Sequence, residues 1–291
     1  MTTIFDAPED FATTALAGFA AIYARNVRLV KGGVVRSTKV PKGKVAVVIG
    51  GGSGHYPAFA GYVGPGLADA AVAGDVFASP STAAVARVCR HADQGGGVLL
   101  GFGNYAGDVL NFGVAAERLR AEGIDVRVLP VTDDVASASV ETPAKRRGIA
   151  GDLVVFKIAG AAAEAGKSLD EVERLARLAN DRTVSFGVAF GGCTLPGAAG
   201  PLFTVQKGQM ALGLGIHGEP GINEEKIFLR QRSRQAADRQ AHRRAPARHE
   251  KGRRGSERPR LDQVRRAVRS LDGGCQGTGG SRPRNRRSRM R

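Results

Sequence analysis

The stretch that decides the fold reads Val45-Ala-Val-Val-Ile-Gly-Gly-Gly-Ser-Gly-His55. Its first five residues are apolar and mostly β-branched, which is typical of a strand buried on both faces in a parallel sheet. The strand is expected to stop at Gly50, where a glycine-rich loop begins. The loop delivers an imidazole, His55, to the end of the strand.

Two later runs repeat this design, in which a short apolar stretch passes into polar residues. Residues 98–102 lead to Asn104-Tyr-Ala-Gly-Asp108, and residues 126–131 lead to Thr132-Asp-Asp134. Open α/β sheets bind ligands at the carboxyl ends of their strands. The three runs together therefore predict a site at one end of a sheet.

Helical patterns fill the gaps between these runs. A capping box at Ser168-Leu-Asp-Glu171 starts one helix, and the spacing of apolar residues predicts further helices over residues 11–23, 79–91 and 112–122. The alternation predicts an α/β domain over residues 1–182, with a mostly parallel sheet flanked by helices.

A second, incomplete α/β domain is expected over residues 183–228. Its strands are predicted at residues 184–190, 202–205 and 210–216, between Gly/Pro turns.

The charge of the chain is unevenly distributed. The net charge is +16, but residues 1–229 hold 22 Lys and Arg against 22 Asp and Glu. Residues 230–291 hold 21 Lys and Arg against 5 Asp and Glu, with few apolar residues. Such a segment buries too little apolar surface to offset chain entropy, so residues 229–291 are expected to be an aberrant, disordered Arg-rich tail.

The cysteines and the apolar pattern indicate the compartment. Cys89, Cys193 and Cys275 are far apart and form no C-x-x-C pair, which disfavours a disulfide framework or a zinc site. No signal-peptide pattern and no apolar run of ~20 residues is present. We expect a cytoplasmic protein with no bound metal, no membrane contact and no specific nucleic-acid partner.

The residues before His55 admit more than one interpretation. Glycines after a strand can let backbone N–H groups converge on a phosphate. The sequence lacks the Lys-Ser/Thr end of a P-loop and does not fit G-x-G-x-x-G. His55 favours a reactive loop, although such a histidine can also cap a helix or bind a buried carbonyl.

Asp108 and His217 are the other chemical candidates. A carboxylate at Asp108 could orient the imidazole of His55 and raise its basicity, or it could be the N-cap of the next helix. His217 lies between Gly215 and Gly218, where little crowds the ring. Such a ring suits a nucleophile or ligand, and the alternative is a turn histidine without function.

Several motifs, in order, resemble the substrate-binding, K-type part of the dihydroxyacetone kinase family. They cover about residues 5–228 and begin at Gly50, Ala71, Asn104, Arg146, Lys157 and Gly215, the first and last reading Gly-Gly-Gly-Ser-Gly-His and Gly-Ile-His-Gly-Glu-Pro-Gly. The resemblance implies that His217 captures the ketose carbonyl as a hemiaminal and that His55 is the base on the terminal hydroxyl. It also implies that Asp108 holds the substrate hydroxyls and that Gly52, Ser53 and Gly54 line the pocket.

The resemblance also implies partners. ATP and magnesium, or a phosphotransferase-derived donor, are expected on a separate L-type domain or subunit, so this chain alone should bind a small ketose without phosphorylating it. A homodimer is expected. A noncatalytic ketose-binding or regulatory module is the alternative, since K-type relatives also act as sensors.

Three departures from the family pattern concern the pocket. The chain has Tyr56 and Phe59 where Glu and His are frequent, and Gly103 where a lysine commonly precedes the Asn-Tyr motif. Losing a cation and two polar groups leaves a roomier, more apolar pocket. This favours the subgroup acting on four-carbon ketoses such as erythrulose.

The family pattern fails after Ile227. Codons can be chosen for residues 259–269 so that the frame one base later encodes Leu-Gly-Ser-Thr-Lys-Tyr-Asp-Glu-Leu-Phe-Val, a motif like the family's at this place. We therefore hypothesise a shifted reading frame near residue 229. The rival hypothesis is a tail that binds nucleic acid or an acidic membrane.

Overall fold

The apolar run at residues 45–49 forms a central strand. The computed structural model describes residues 7–227. Strand β3 spans Ala46–Ser53, and the side chains of residues 46–49 are at most 2% exposed. Because both faces of the strand are covered, every one of its side chains up to Ile49 is apolar.

The first sheet has six strands in the order β1-β2-β4-β3-β5-β6. Strands β3, β4, β5 and β6 are mutually parallel, and a β1–β2 hairpin joins antiparallel to β4. The remaining strands are β1 (Val27–Val30), β2 (Gly33–Arg36), β4 (Ala70–Val76), β5 (Val98–Gly103) and β6 (Val126–Val131). The prediction of a mostly parallel sheet is confirmed.

Helices cover both faces of this sheet. One core cluster joins the sheet to α1 (Phe11–Ile22), α4 (Asp152–Glu164) and α5 (Leu169–Arg182), and the other joins it to α2 (Thr82–Ala92) and α3 (Ala106–Ala121). Ser168 accepts a hydrogen bond from Glu171 N, which confirms Ser168 as the N-cap of α5, whereas the Glu171 carboxylate accepts from Arg174. Short 3-10 turns lie at Pro8–Asp10, Ala60–Tyr62 and Pro143–Lys145.

The glycine run differs from its prediction as a loop. Gly50 pairs with Val72 and Gly51 with Ala73, so β3 continues through the glycines to Ser53. Gly50 and Gly51 pair with β4 only, and the pairing of β3 with β5 ends at Ile49, so the phosphate-cradle alternative stays a prediction. The sheet accepts glycine here because neighbouring groups occupy the space of a side chain: a Cβ on Gly51 would lie 2.4 Å from the Phe59 ring.

The second sheet has three antiparallel strands, β7 (Val188–Ala189), β8 (Gln209–Leu212) and β9 (Asn223–Lys226). Two predicted strands are found in shortened form, but residues 202–205 are not a strand. Leu202 donates its N–H to Cys193 O and is 46% exposed, so this segment closes a loop instead. Both sheets lie in one compact unit, and the domain division at residue 182 stays a prediction.

The predictions for residues 228–291, including the disordered tail and the shifted frame, lie outside the described residues.

Candidate active site

His55 follows directly on the central strand. Gly54 has φ +99° and turns the chain out of β3, which places the imidazole above the end of the first sheet. The ring of Phe77 stacks on it with centroids 4.6 Å apart and planes 9° apart. Phe77 itself has φ +55°, a left-handed conformation that non-glycine residues rarely adopt.

His217 lies on the turn between β8 and β9. Gly215 N donates to Glu219 O, and Gly218 N donates to Gly215 O, so the turn closes on itself. The carboxylate of Glu219 accepts two hydrogen bonds from His217, one from the backbone N–H at 3.0 Å and one at ring atom Nδ1 at 2.9 Å. Glu219 therefore fixes both the backbone and the ring of His217.

The two histidines meet, with Nε2 of His55 3.0 Å from Nε2 of His217. Because the Glu219 carboxylate accepts at Nδ1, a neutral His217 carries its proton there and has a lone pair at Nε2. His55 must then donate its own Nε2–H to that lone pair. With His217 in this protonation state, its lone pair is held in a hydrogen bond.

The two ionisable partners of His217 are shifted in pKa. Burial foremost, and then the charge of His217, lower the pKa of His55, Glu219 acts in the opposite direction, and the resulting pKa is about 4. Burial raises the pKa of Glu219, but its hydrogen bonds, foremost with His217, outweigh this effect and lower the pKa to about 2. At neutral pH His55 is uncharged and Glu219 is a carboxylate.

Arg147 links the His217 turn to the first sheet. Its guanidinium donates to Asp134 Oδ2 and to Gly213 O, and it lies 3.9 Å from Glu219 Oε2. Asp134 follows β6 and is fully buried. Gly215 is required at this point, since a Cβ would lie 2.1 Å from Glu219 Oε2.

A cavity of about 520 Å³ opens beside His55. Its lining includes aromatic and apolar side chains from both sheets and a single acid, Asp152: Tyr56, Phe59, Tyr62, Ile149 and Phe203 with Asp152. Such a volume suits a small polar molecule with room to spare.

Of the three residues predicted to line the pocket beside His55, one lines the cavity and two do not. Gly54 lines the cavity, whereas Gly52 and Ser53 lie in β3 and border a neighbouring space of about 20 Å³. The Ser53 hydroxyl donates to Gly74 O.

Asp108 lies in the first turn of α3 and is buried, but the N-cap of that helix is Tyr105. Burial raises the pKa of Asp108, whereas a hydrogen bond with Ser79 and the charge of His217 act in the opposite direction. Among the described contacts, the carboxylate that is hydrogen-bonded to a site imidazole is Glu219 rather than Asp108.

Three buried polar atoms of residues 7–227 have no hydrogen-bond partner: Tyr105 Oη, Asp108 Oδ1 and Asp152 Oδ1. All three belong to the neighbourhood of the histidine pair. The Tyr105 ring meets His217 edge-on at 4.7 Å, and Asp108 interacts electrostatically with both His217 and Asp152. Buried polar groups are normally paired, so these three exceptions call for an explanation.

Neither a metal-binding cluster nor a membrane-spanning helix is found in the described part of the chain. In residues 7–227 no group of three or more His, Cys, Asp or Glu is arranged to hold a metal ion. No helix among these residues combines the length and apolar character needed to cross a membrane.

Comparison with known proteins identifies the family. A family model described as the Dak1 domain matches residues 17–248. The chain belongs to the Dak1 domain family. This membership confirms the resemblance to the K-type part of dihydroxyacetone kinases that the motifs indicated.

Relatives of this Dak1 chain include kinases of four-carbon and three-carbon ketoses. It is 62% identical over 227 residues to the L-erythrulose 1-kinase of Mycolicibacterium smegmatis, covering 78% of this chain and 40% of the relative. It is 44% identical over 215 residues to the dihydroxyacetone-binding subunit DhaK of the PTS-dependent dihydroxyacetone kinase 2 of Listeria innocua, covering 73% of this chain and 64% of the relative. The chain thus spans less than two thirds of either protein.

A solved structure supports the fold of this Dak1 chain. The dihydroxyacetone kinase of C. freundii aligns with a TM-score of 0.76 and 35% identity, over 94% of this chain and 51% of that one. The similarity confirms the α/β architecture.

Proposed function

We propose that this chain is the ketose-binding part of a kinase that phosphorylates a small ketose at its terminal hydroxyl. The observation that carries the proposal is the 3.0 Å contact between His55 and His217 beside a cavity, with Glu219 fixing the second ring. A fixed neutral imidazole next to a second imidazole supplies a nucleophile and a base within reach of one small molecule.

In the proposed capture, Nε2 of His217 attacks the ketose carbonyl carbon. The lone pair forms the C–N bond, the carbonyl π pair moves onto oxygen, and that oxygen takes a proton from solvent. The ring becomes positively charged, and the Glu219 carboxylate at Nδ1 stabilises this charge. Capture selects carbonyl compounds and excludes glycerol, which offers no electrophilic carbon.

His55 serves the second step. Once the ketose separates the two rings, Nε2 of His55 can face the terminal hydroxyl instead of His217. To accept that proton, Nε2 must be unprotonated, so before this step His55 releases its Nε2 proton to solvent and takes a proton from solvent at Nδ1. A pKa of about 4 keeps the ring neutral at physiological pH.

The proposed substrate is a four-carbon ketose such as erythrulose. Tyr56 and Phe59 give the cavity an apolar wall, and Gly103 adds no cation. The 62% identical relative bears the name of an L-erythrulose kinase.

The proposed phosphoryl donor site lies on a separate L-type domain or subunit, which would bind ATP and magnesium. The name of the Listeria innocua relative describes a ketose-binding subunit within a larger kinase. A homodimer and a cytoplasmic location stay predictions.

The test is capture by the purified full chain. Ketose labelled with ¹³C at the carbonyl carbon should show a new protein-bound resonance in the range of tetrahedral carbon, and intact mass should increase by one ketose. His217→Asn should lose both signals while keeping the thermal melting curve. If the wild-type chain binds ketose with an unchanged carbonyl resonance, covalent capture is wrong.

A second candidate is a noncatalytic ketose-binding module, which the name of a binding subunit among the relatives also favours. The two candidates differ in turnover. A purified L-type partner with ATP and magnesium should yield ketose phosphate in the first case, whereas the second gives capture without product.

A further inference from the structure

Asp152 is a buried acid that the proposed chemistry does not use. It is the first residue of α4, is 7% exposed and lines the cavity beside His55. Its Oδ1 has no hydrogen-bond partner. Leaving such an oxygen unpaired is unfavourable, so its persistence calls for an explanation.

The surroundings of Asp152 exclude a structural ion pair as that explanation. The charged groups that act on it are other carboxylates, Asp133 and Asp108. Asp133 is occupied, since it accepts the backbone N–H groups of Ile149 and Gly151. Lys157, on the same helix, donates to Gly66 O instead.

We propose that Asp152 is a specificity residue that hydrogen-bonds the additional hydroxyl of a four-carbon ketose, the one that dihydroxyacetone lacks. The inference rests on the proposed function, because it places the ketose between the histidine pair and the cavity wall. Asp152 and His55 line the same cavity, and Nε2 of His217 lies 3.0 Å from Nε2 of His55, so the acid and the histidine pair border one space.

The protonation of Asp152 supports a donor role. Burial first, and then the charges of Asp133 and Asp108, raise its pKa well above the ordinary value. A carboxyl that keeps its proton offers one donor and one acceptor to a hydroxyl. The apolar neighbours in the cavity, Phe59 and Ile149, offer neither.

The experiment compares two ketoses on one set of variants. Dissociation constants for L-erythrulose and dihydroxyacetone are measured by isothermal titration calorimetry with the full chain, for wild type, Asp152→Ala and Asp152→Asn. Asp170→Ala is the matched control, because Asp170 lies in the first turn of α5 but is exposed and remote from the cavity.

We expect Asp152→Ala to weaken L-erythrulose binding about tenfold or more and dihydroxyacetone less than about threefold. Asp152→Asn should keep L-erythrulose within about threefold, since the amide retains a donor and an acceptor. Asp170→Ala should match wild type for both ketoses. Asp152→Asn is isosteric and removes a buried acid, so it is expected to melt at or above the wild-type temperature.

Two results would overturn the proposal separately. If wild type binds both ketoses and Asp152→Ala weakens them equally or not at all, Asp152 has no part in specificity and the proposed function stands. If wild type binds neither ketose, the proposed function fails and this inference fails with it.

Discussion

The two halves of the site are held by different kinds of interaction. His55 extends from β3, whose apolar residues are nearly inaccessible and packed between helices on both faces. His217 extends from the second sheet, where the buried apolar side chains between residues 183 and 227 are Met210, Ala211 and Leu212. Polar contacts of Arg147 and Glu219 position the turn. Close packing fixes His55, whereas charge and hydrogen bonds fix His217.

The polar half should depend most strongly on Arg147. Arg147→Ala leaves the carboxylate of Asp134 buried without its cation, which is expected to lower the free energy of unfolding by about 3–5 kcal/mol. Urea unfolding measures the loss. Arg174→Ala is the control, because its pair with Glu171 is exposed and should contribute about 0–1 kcal/mol. Equal losses in the two variants would contradict electrostatic support of the His217 turn.

The packed half should be most sensitive to a methyl group on Gly52. A Cβ there would lie 2.7 Å from Ala78 N and 2.9 Å from the Phe77 backbone, so Gly52→Ala should cost about 2–3 kcal/mol. It should also disturb the stacking of Phe77 on His55. Gly191→Ala, which has open space around it, is expected to be neutral or slightly stabilising. Similar melting temperatures for the two variants would show that packing around β3 is looser than described.

The free energy of unfolding at acidic pH should depend on the burial of His55. Its pKa falls from 6.5 to about 4 on folding, so its contribution to stability is complete above pH 6.5 and is lost as pH falls towards 4. After allowance for solvent screening, we expect a loss of up to about 2 kcal/mol in this window. The effect of Glu219 falls lower, between about pH 4.5 and 2.

The measurement for His55 is urea unfolding at pH 7, 5.5 and 4. The curve for His55→Gln should be flatter than that for wild type, whereas His91→Gln, on the exposed side of α2, should follow wild type. Parallel curves for all three proteins would mean that His55 is solvated in the folded protein.

The smallest expected effect concerns Gly103. A Cβ at this position would lie 3.0 Å from Gly148 O and 3.3 Å from Tyr105 Cε2, so Gly103→Lys requires a small shift and should cost about 1 kcal/mol. The added cation should move ketose preference several-fold towards dihydroxyacetone. Dissociation constants for both ketoses measure this shift, with Gly113→Lys on α3 as control. An unchanged ratio would refute the substrate hypothesis drawn from Gly103.

The sequence predicted three of the four parallel strands, β3, β5 and β6, because they are continuous apolar runs. It missed the hairpin β1–β2, the parallel strand β4, where Gly74 and Asp75 interrupt the apolar pattern, and β9, which is mostly charged and exposed. Strand β4 is recognisable only from its place beside β3, a long-range pairing. The three glycines of β3 were wrongly predicted to begin a loop for the same reason, since the neighbouring strand determines their conformation.

The histidine pair was predictable as two candidates from glycine context, and the motifs brought them to one site. The roles given to Asp108, Gly52 and Ser53 stay predictions. The sequence could have identified Glu219 as the carboxylate that binds His217, because Glu219 lies two residues away on the same turn. Asp152 gave no signal, because an acid at the start of a helix is an ordinary feature of sequences.

The hydrogen bond between the two imidazoles competes with the binding of a ketone to His217. Every ketone that reaches His217 must first displace the Nε2–H of His55, which then needs a new partner or remains unsatisfied in a largely buried place. A hydroxyketone brings that partner in its adjacent hydroxyl, whereas acetone brings none. If His217 captures the ketose as we propose, simple ketones such as acetone are therefore disfavoured independently of any contact with the cavity wall.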